Sequence, residues 1–235
     1  FYTFVGIESD VITETEGASD YIDEDREIPS FFRVVDDGSL NQGGVEFVTK
    51  RPIIGTDVDR ALDQLQEAHE SEWNTVDSSC GLHIHMNALD MGFREIKSLL
   101  MIMSRIQDVI YDSIPSNRRN TSYARVITMT PTEIAKIETL GQLITSYYSM
   151  ADTIISDNKY NEARYIGTNI HARFYLGSIE FRYHEGTIRS SSIKDWILFL
   201  NGIMDASKNL HNRHRLRNKI MKEKFSPIDI IRDIS

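Results

Sequence analysis

The sequence predicts an α+β fold in which a mainly antiparallel sheet holds one polar, concave face open and packs helices behind the other. Three observations carry the prediction. In residues 177–187 (GSIEFRYHEGT), Ile179, Phe181 and Tyr183 alternate with Glu180, Arg182 and His184, and successive side chains of a strand point to opposite faces. In residues 80–87 (CGLHIHMN), Leu82, Ile84 and Met86 alternate with His83, His85 and Asn87. Residues 93–114 place Ile96, Leu99, Leu100, Met103, Ile106 and Ile110 at helical spacing, which predicts a long helix behind the sheet. Its methionines are core filler.

The remaining elements follow in chain order. Residues 1–7 are β-branched and aromatic and predict a strand whose end delivers Glu8 and Asp10 on one face. Residues 11–29 are acidic, with Glu14, Glu16, Asp20, Asp23, Glu24, Asp25 and Glu27 opposed only by Arg26. They predict a solvated loop, with a lid over residues 11–30 as the alternative. Residues 32–35 and 43–49 form a strand pair around a turn at Asp36-Asp37-Gly38-Ser39, and Glu46 shares its face with Gly44, Val48 and Lys50. An amphipathic helix spans 56–73, opened by a Thr56/Asp59 capping box.

Residues 115–123 form a polar loop in which Arg118 and Arg119 make either a surface turn or a clamp for phosphate or carboxylate. Thr130-Pro131-Thr132-Glu133 starts a helix that continues past Gly141 to about residue 155. Residues 164–174 predict a strand with Asn169, His171 and Arg173 on one face, forming a hairpin with 177–187. Ser192 and Asp195 open a last helix from 193 to 221, within a helical segment at 193–235. Its cations, from His211 through Arg213, His214, Arg215 and Arg217 to Lys219, complement the helix dipole or form a binding patch.

Composition bounds the function. A chain of 235 residues, 40 % apolar and 26 % charged, suits one large globular domain over residues 1–235. Its formal charge of -9 argues against nucleic acid as the main partner. The sequence has neither an apolar run of membrane-spanning length nor a signal-peptide pattern, and the lone Cys80 excludes an internal disulfide and fits a reducing compartment. The expected location is the cytoplasm, with no membrane partner and with an oligomer left open.

The polar front would gather Glu8, Asp10, Glu46, His83, His85, Glu180, Arg182 and His184. Carboxylates with a few imidazoles suit Mg²⁺ or Mn²⁺, and His83-x-His85 makes zinc the rival. No GxxxxGK[ST] stretch occurs, so any phosphate must be held by metal and side chains.

Gly6-Ile7-Glu8, Asp37-Gly38-Ser39-Leu40 with Gly44-Val45-Glu46-Phe47, Gly81-Leu82-His83-Ile84-His85, the Arg118/Tyr123 loop, Arg164-Tyr165 with Asn169, and Ser178-Ile179-Glu180-Phe181-Arg182 with Gly186-Thr187 occur in this order. This ordered set, from Gly6 to about Thr187, resembles the putative amidoligase family. That family is a bacterial and phage branch of the carboxylate-amine ligases, related to glutamine synthetase and gamma-glutamylcysteine ligase. The resemblance implies an ATP- and Mg²⁺-dependent (or Mn²⁺-dependent) ligase on a curved antiparallel sheet of the glutamine synthetase kind. It further implies that Glu8, His83 and Glu180 hold one metal and Asp10 and Glu46 a second, near the substrate carboxylate. Asp10 stands where the glutamine synthetase relatives carry a glutamate. Arg182 would touch the transferring phosphate, and His85, Arg118, Arg119 and Asn169 would contact nucleotide or substrate.

The chemistry fits those residue types. A carboxylate becomes reactive toward an amine, free or in a peptide, once it has taken the γ-phosphoryl group of ATP as an acyl phosphate, and metal ions and arginines neutralise the charge that moves. Glu185, or an acid of the 11–29 loop, would take the proton of the amine. Two alternatives stand beside this reading. One is a metal-dependent hydrolase or cupin-like enzyme using His83 and His85; the other is a catalytically inactive homologue serving as a binding or structural protein, for instance in a phage particle.

Overall fold

A computed structural model of the chain describes residues 3–13, 17–23, 28–40, 44–70, 74–114, 121–187 and 189–234. It is a mixed α/β structure with an antiparallel sheet and helices. The chain divides into two compact units: Phe1–Met86 with Tyr183–Leu198, and Asn87–Arg182 with Phe199–Ser235. Among the described residues no helix is long and apolar enough to cross a membrane.

The first unit is built on β1 (Val5–Thr13), followed by α1 (Ala18–Asp23), β2 (Phe32–Asp36), β3 (Gly44–Thr49), α2 (Thr56–His69), the short β4 (Asn74–Thr75) and β5 (Gly81–Asn87). Its strands lie in the order β2-β3-β1-β5, with β4 also on β1, and every one of these pairings is antiparallel. Register explains the two faces. Ser9 lies opposite Phe47 and Leu82, and Ile7 opposite Ile84, so the apolar parity of three strands coincides. Val58, Ala61, Leu62, Leu65 and His69 of α2 are buried, and the ring of His69 meets that of Phe47 at 5.8 Å. Helix α2 therefore covers the apolar face. The other parity carries Glu8, Asp10, Glu46, His83 and His85.

Two glycines permit close approach in this unit. A Cβ on Gly6 would come 3.2 Å from that of His85, its partner across the β1–β5 ladder. A Cβ on Gly186 would lie 2.5 Å from that of Cys80, where the Gly186 N–H donates to the Cys80 carbonyl at 2.8 Å.

The second unit begins with α3 (Phe93–Ser113), then α4 (Pro131–Ala135) and α5 (Leu140–Met150), a 3-10 turn at Glu162–Tyr165, β6 (Thr168–Asn169), α6 (Arg173–Leu176) and β7 (Ser178–Glu185). Residues 183–185 of β7 and the start of α7 (Ser190–Asn209) belong to the first unit; α8 (His214–Met221) and α9 (Pro227–Ile234) complete the second. Helix α3 packs against α4, α8 and α9. Its buried Ile96, Leu99, Leu100, Ile106 and Ile110 are the residues whose spacing predicted it.

Several boundaries differ from the sequence expectation. Strand β1 runs on to Thr13, so Glu8 and Asp10 lie within it rather than at its end, and the acidic stretch contains the helix α1. Helix α2 is capped at Gly55 without a side-chain hydrogen bond, so Thr56 is its first residue and not its cap. The expected helix from 130 to 155 is two helices, because Thr139 and Gln142 form a second capping box just after the first helix has ended; Gly141 lies inside α5. The expected strand at 164–174 shrinks to Thr168–Asn169. Its hairpin with β7 holds, with Thr168 opposite Phe181 and Asn169 opposite Glu180, but His171 and Arg173 leave the sheet. The last helix begins at Ser190 and is broken after Asn209 and again after Met221.

Candidate functional site

In the first unit, β-ladder register assembles the polar cluster. Glu8 on β1 lies directly opposite His83 on β5, and Asp10 directly opposite Glu46 on β3. The imidazole Nδ1 of His83 is 3.6 Å from Glu8 and 3.9 Å from Glu46, and His85 Nε2 is 3.3 Å from Glu8. Both histidines are buried, and Glu8 and Glu46 are half-buried. Burial pushes the Glu8 carboxyl up, but the nearby His85 and His83 more than offset this and hold it well below the usual carboxylate range.

Two groups of donor atoms here lie within 4.8 Å of one another: Glu8, Glu46 and His83, and Asp10, Asp37 and Glu46. Asp37, placed by the sequence in a turn and in the ordered motif set but given no role in a site, is a further candidate ligand. It accepts from the backbone N–H of Ser39 at 2.8 Å, the expected turn geometry, and its nearness to Asp10 depends on how β2 and β3 bring their turn back to β1. Asp10 is buried and accepts from the Gly81 N–H at 2.7 Å. Asp10 and Glu46 face each other directly across strands, a placement that repels unless a cation lies between them. The donor set, oxygen-rich with imidazole beside it, fits a hard divalent cation and also admits zinc.

In the second unit a different cluster forms. Glu180 and Asn169 are buried opposite each other on β7 and β6, and Asn169 Nδ2 donates to Glu180 Oε2 at 2.5 Å. Arg182 donates to the other oxygen of Glu180 and, through Nε, to the carbonyl of Tyr123 at 3.0 Å. Glu180 is thus held from both sides. Asn169 Oδ1 accepts from the Ala172 N–H at 3.2 Å, so the side chain that orients Glu180 is itself fixed.

His184 and Glu185 have other surroundings. His184 packs its ring 5.6 Å from that of Trp196, and its Nδ1 lies 2.7 Å from the Glu185 carbonyl. Glu185 ends β7 with the parity of Phe181 and Tyr183, so strand alternation does not give it the face of Glu180 and Arg182. Arg118 and Arg119 lie outside the described residues. The grouping of Glu180 with Glu8 and His83 rests on the resemblance alone.

Comparison with curated proteins gives no significant match. Comparison with protein families matches residues 7–204 to the family described as putative amidoligase enzyme. That span contains every residue of both clusters and most of the chain, and the chain belongs to the amidoligase family.

Proposed function

We propose that the protein is an ATP-dependent carboxylate-amine ligase that forms an amide or isopeptide bond through an acyl phosphate. Its family is one of amide-bond-forming ligases; the nucleotide and the intermediate are the finer reading. The observation that carries it is Glu8, held below its ordinary pKa between two buried imidazoles with Glu46 beside them. Glu8 therefore stays ionised at neutral pH, and a carboxylate pair with imidazole beside it is a donor set for a divalent cation.

Glu8, Glu46 and His83 would hold one such ion, and Asp10 with Asp37 and Glu46 a second. A bound Mg²⁺ or Mn²⁺ would supply charge neutralisation for the phosphates and for the attacking carboxylate. The protein's own groups do the rest. Arg182 offers a guanidinium, braced by Glu180 and the Tyr123 carbonyl, to the oxygens of the transferring phosphoryl group. A substrate carboxylate oxygen attacks the γ-phosphorus, the bond to the bridging oxygen breaks, and ADP leaves. The amine then attacks the acyl carbon and inorganic phosphate departs, while a base removes the nitrogen's proton.

Calorimetric titration of a non-hydrolysable ATP analogue, with and without Mg²⁺, tests this. Wild type should bind in a Mg²⁺-dependent manner, Glu8→Ala should lose that dependence, and Glu180→Ala, which frees Arg182 from its brace, should bind the analogue more weakly. Absence of binding by wild type, or unchanged binding by both variants, would overturn the ligase reading.

A further inference from the structure

We infer that Arg164, with Arg125 and the Tyr160 and Tyr165 rings, forms an oxyanion-binding site in the second unit, for a phosphate or carboxylate group of a substrate. The guanidinium carbon of Arg164 lies 4.5 Å from the centroid of Tyr165 and 5.2 Å from that of Tyr160. Those of Arg182 and Arg125 lie 5.7 Å and 6.0 Å from the same Tyr165 ring. The framework is fixed by backbone: the Arg125 N–H donates to the Tyr165 carbonyl at 2.7 Å, and the Gly167 N–H to the Arg125 carbonyl at 2.8 Å.

Guanidinium groups repel, so their convergence on one ring needs negative charge. Arg182 has Glu180, and Arg125 has Glu162 at 3.6 Å. Arg164 has no carboxylate partner among the described residues; it donates to the Tyr165 hydroxyl, and its Nε is buried without a hydrogen-bond acceptor. Its charge is felt nearby: after burial itself, which dominates, Arg164 helps to hold the buried His171 below the ordinary imidazole range. Stacking on two tyrosines keeps a guanidinium flat and leaves its N–H edge for an incoming oxyanion, the geometry in which arginine binds phosphate or carboxylate in a bidentate manner. Among the described residues the ring cluster reaches the surface: Tyr160 is 66 % exposed and Tyr123, whose ring meets that of Tyr165 edge-on, is 42 % exposed.

The identity of the ligand rests on the ligase reading, in which one substrate carries a triphosphate and the other a carboxylate. Calorimetric titrations with sodium tripolyphosphate and, separately, with glutarate, both without divalent metal, distinguish the two sources. At low salt one of these anions should bind wild type. Arg164→Gln should weaken it by about 10-fold or more, as expected for loss of one charge-assisted pair, while Arg164→Lys should retain part of the affinity. Should Arg164→Gln not fold, as judged by circular dichroism, Arg125→Gln and Tyr160→Ala carry the same expectation. Equal binding by wild type and the folded variants, or no binding of either anion, would overturn the site. The two readings separate: Arg164-dependent anion binding with no Mg²⁺-dependent ATP-analogue binding keeps this site and sinks the ligase, and the reverse result sinks this site alone.

Discussion

Buried histidines lie against both faces of the sheet of the first unit, and their surroundings are opposite. His69 reaches the apolar face from α2; it touches the Phe47 ring, lies 3.4 Å from the Ser9 hydroxyl, and has a buried Nδ1 with no hydrogen-bond partner among the described residues. Burial alone takes its pKa down to about 4, so it stays neutral and acts as packing. His83 and His85 stand on the polar face, within 4 Å of carboxylates. One residue type thus serves as core filler on one side of the sheet and as a charge partner on the other. The face of the sheet that each imidazole meets, not the residue type, assigns the role.

The comparison can be broken first from the apolar side. Phe47→Ala should cost about 3–5 kcal/mol, since it empties a fully buried ring site between Tyr21, Phe32 and His69. Chemical denaturation measures this, and a loss below about 1 kcal/mol would mean that α2 is not packed there. The next effect is pH dependence. Because His69 titrates at about 4 when folded against 6.5 unfolded, its stabilising contribution is complete above pH 6.5 and is lost as pH falls toward and through 4. The loss amounts to about 3 kcal/mol when complete. His69→Leu should flatten that part of the stability profile, and an unchanged acid slope would refute the assignment.

Gly186→Ala sharpens the account of how β7 leaves the sheet. A Cβ there would lie 2.5 Å from Cys80 Cβ, so the variant should lose about 1–3 kcal/mol, and adding Cys80→Gly should restore part of it. Cys80 itself is inert: burial raises its thiol to about 11, and thiol-labelling reagents should react slowly with the native protein. The smallest effect is expected at Asp10. Asp10→Asn can still accept from the Gly81 N–H and removes one of two facing carboxylates, so stability without metal should change little, yet it should weaken binding of a second Mn²⁺ ion. If stability falls sharply instead, Asp10 is a structural brace and not a ligand.

What could be read in the sequence was local. Alternation in 177–187 and 80–87 marked both polar rows, and the apolar spacing of α3 marked its buried face. The capping signal at Thr130 and Glu133 marked a true helix start, whereas those at Thr56/Asp59 and Ser192/Asp195 fall inside helices that begin earlier or without a side-chain cap. The same grammar at Thr139/Gln142 and Ser226/Asp229 marks the starts of α5 and α9, and joining these segments into longer helices overlooked it. The cluster's membership depended on register, which no local pattern encodes: nothing near Asp37 states that it returns to Asp10, and nothing near Glu8 states that His83 lies opposite. Arg164 belongs to the ordered motif set, but a strand over 164–174 gives it no role; a 3-10 turn rotates it onto the rings of Tyr160 and Tyr165.

The claim that the polar face of this sheet is a divalent-cation centre is tested most directly by Mn²⁺ binding followed by electron paramagnetic resonance. Wild type should bind Mn²⁺ with a nitrogen coupling from an imidazole. His83→Ala should lose that coupling, and Glu8→Gln should lose most of the affinity while keeping its fold. Identical spectra and affinities for wild type and both variants would contradict the account.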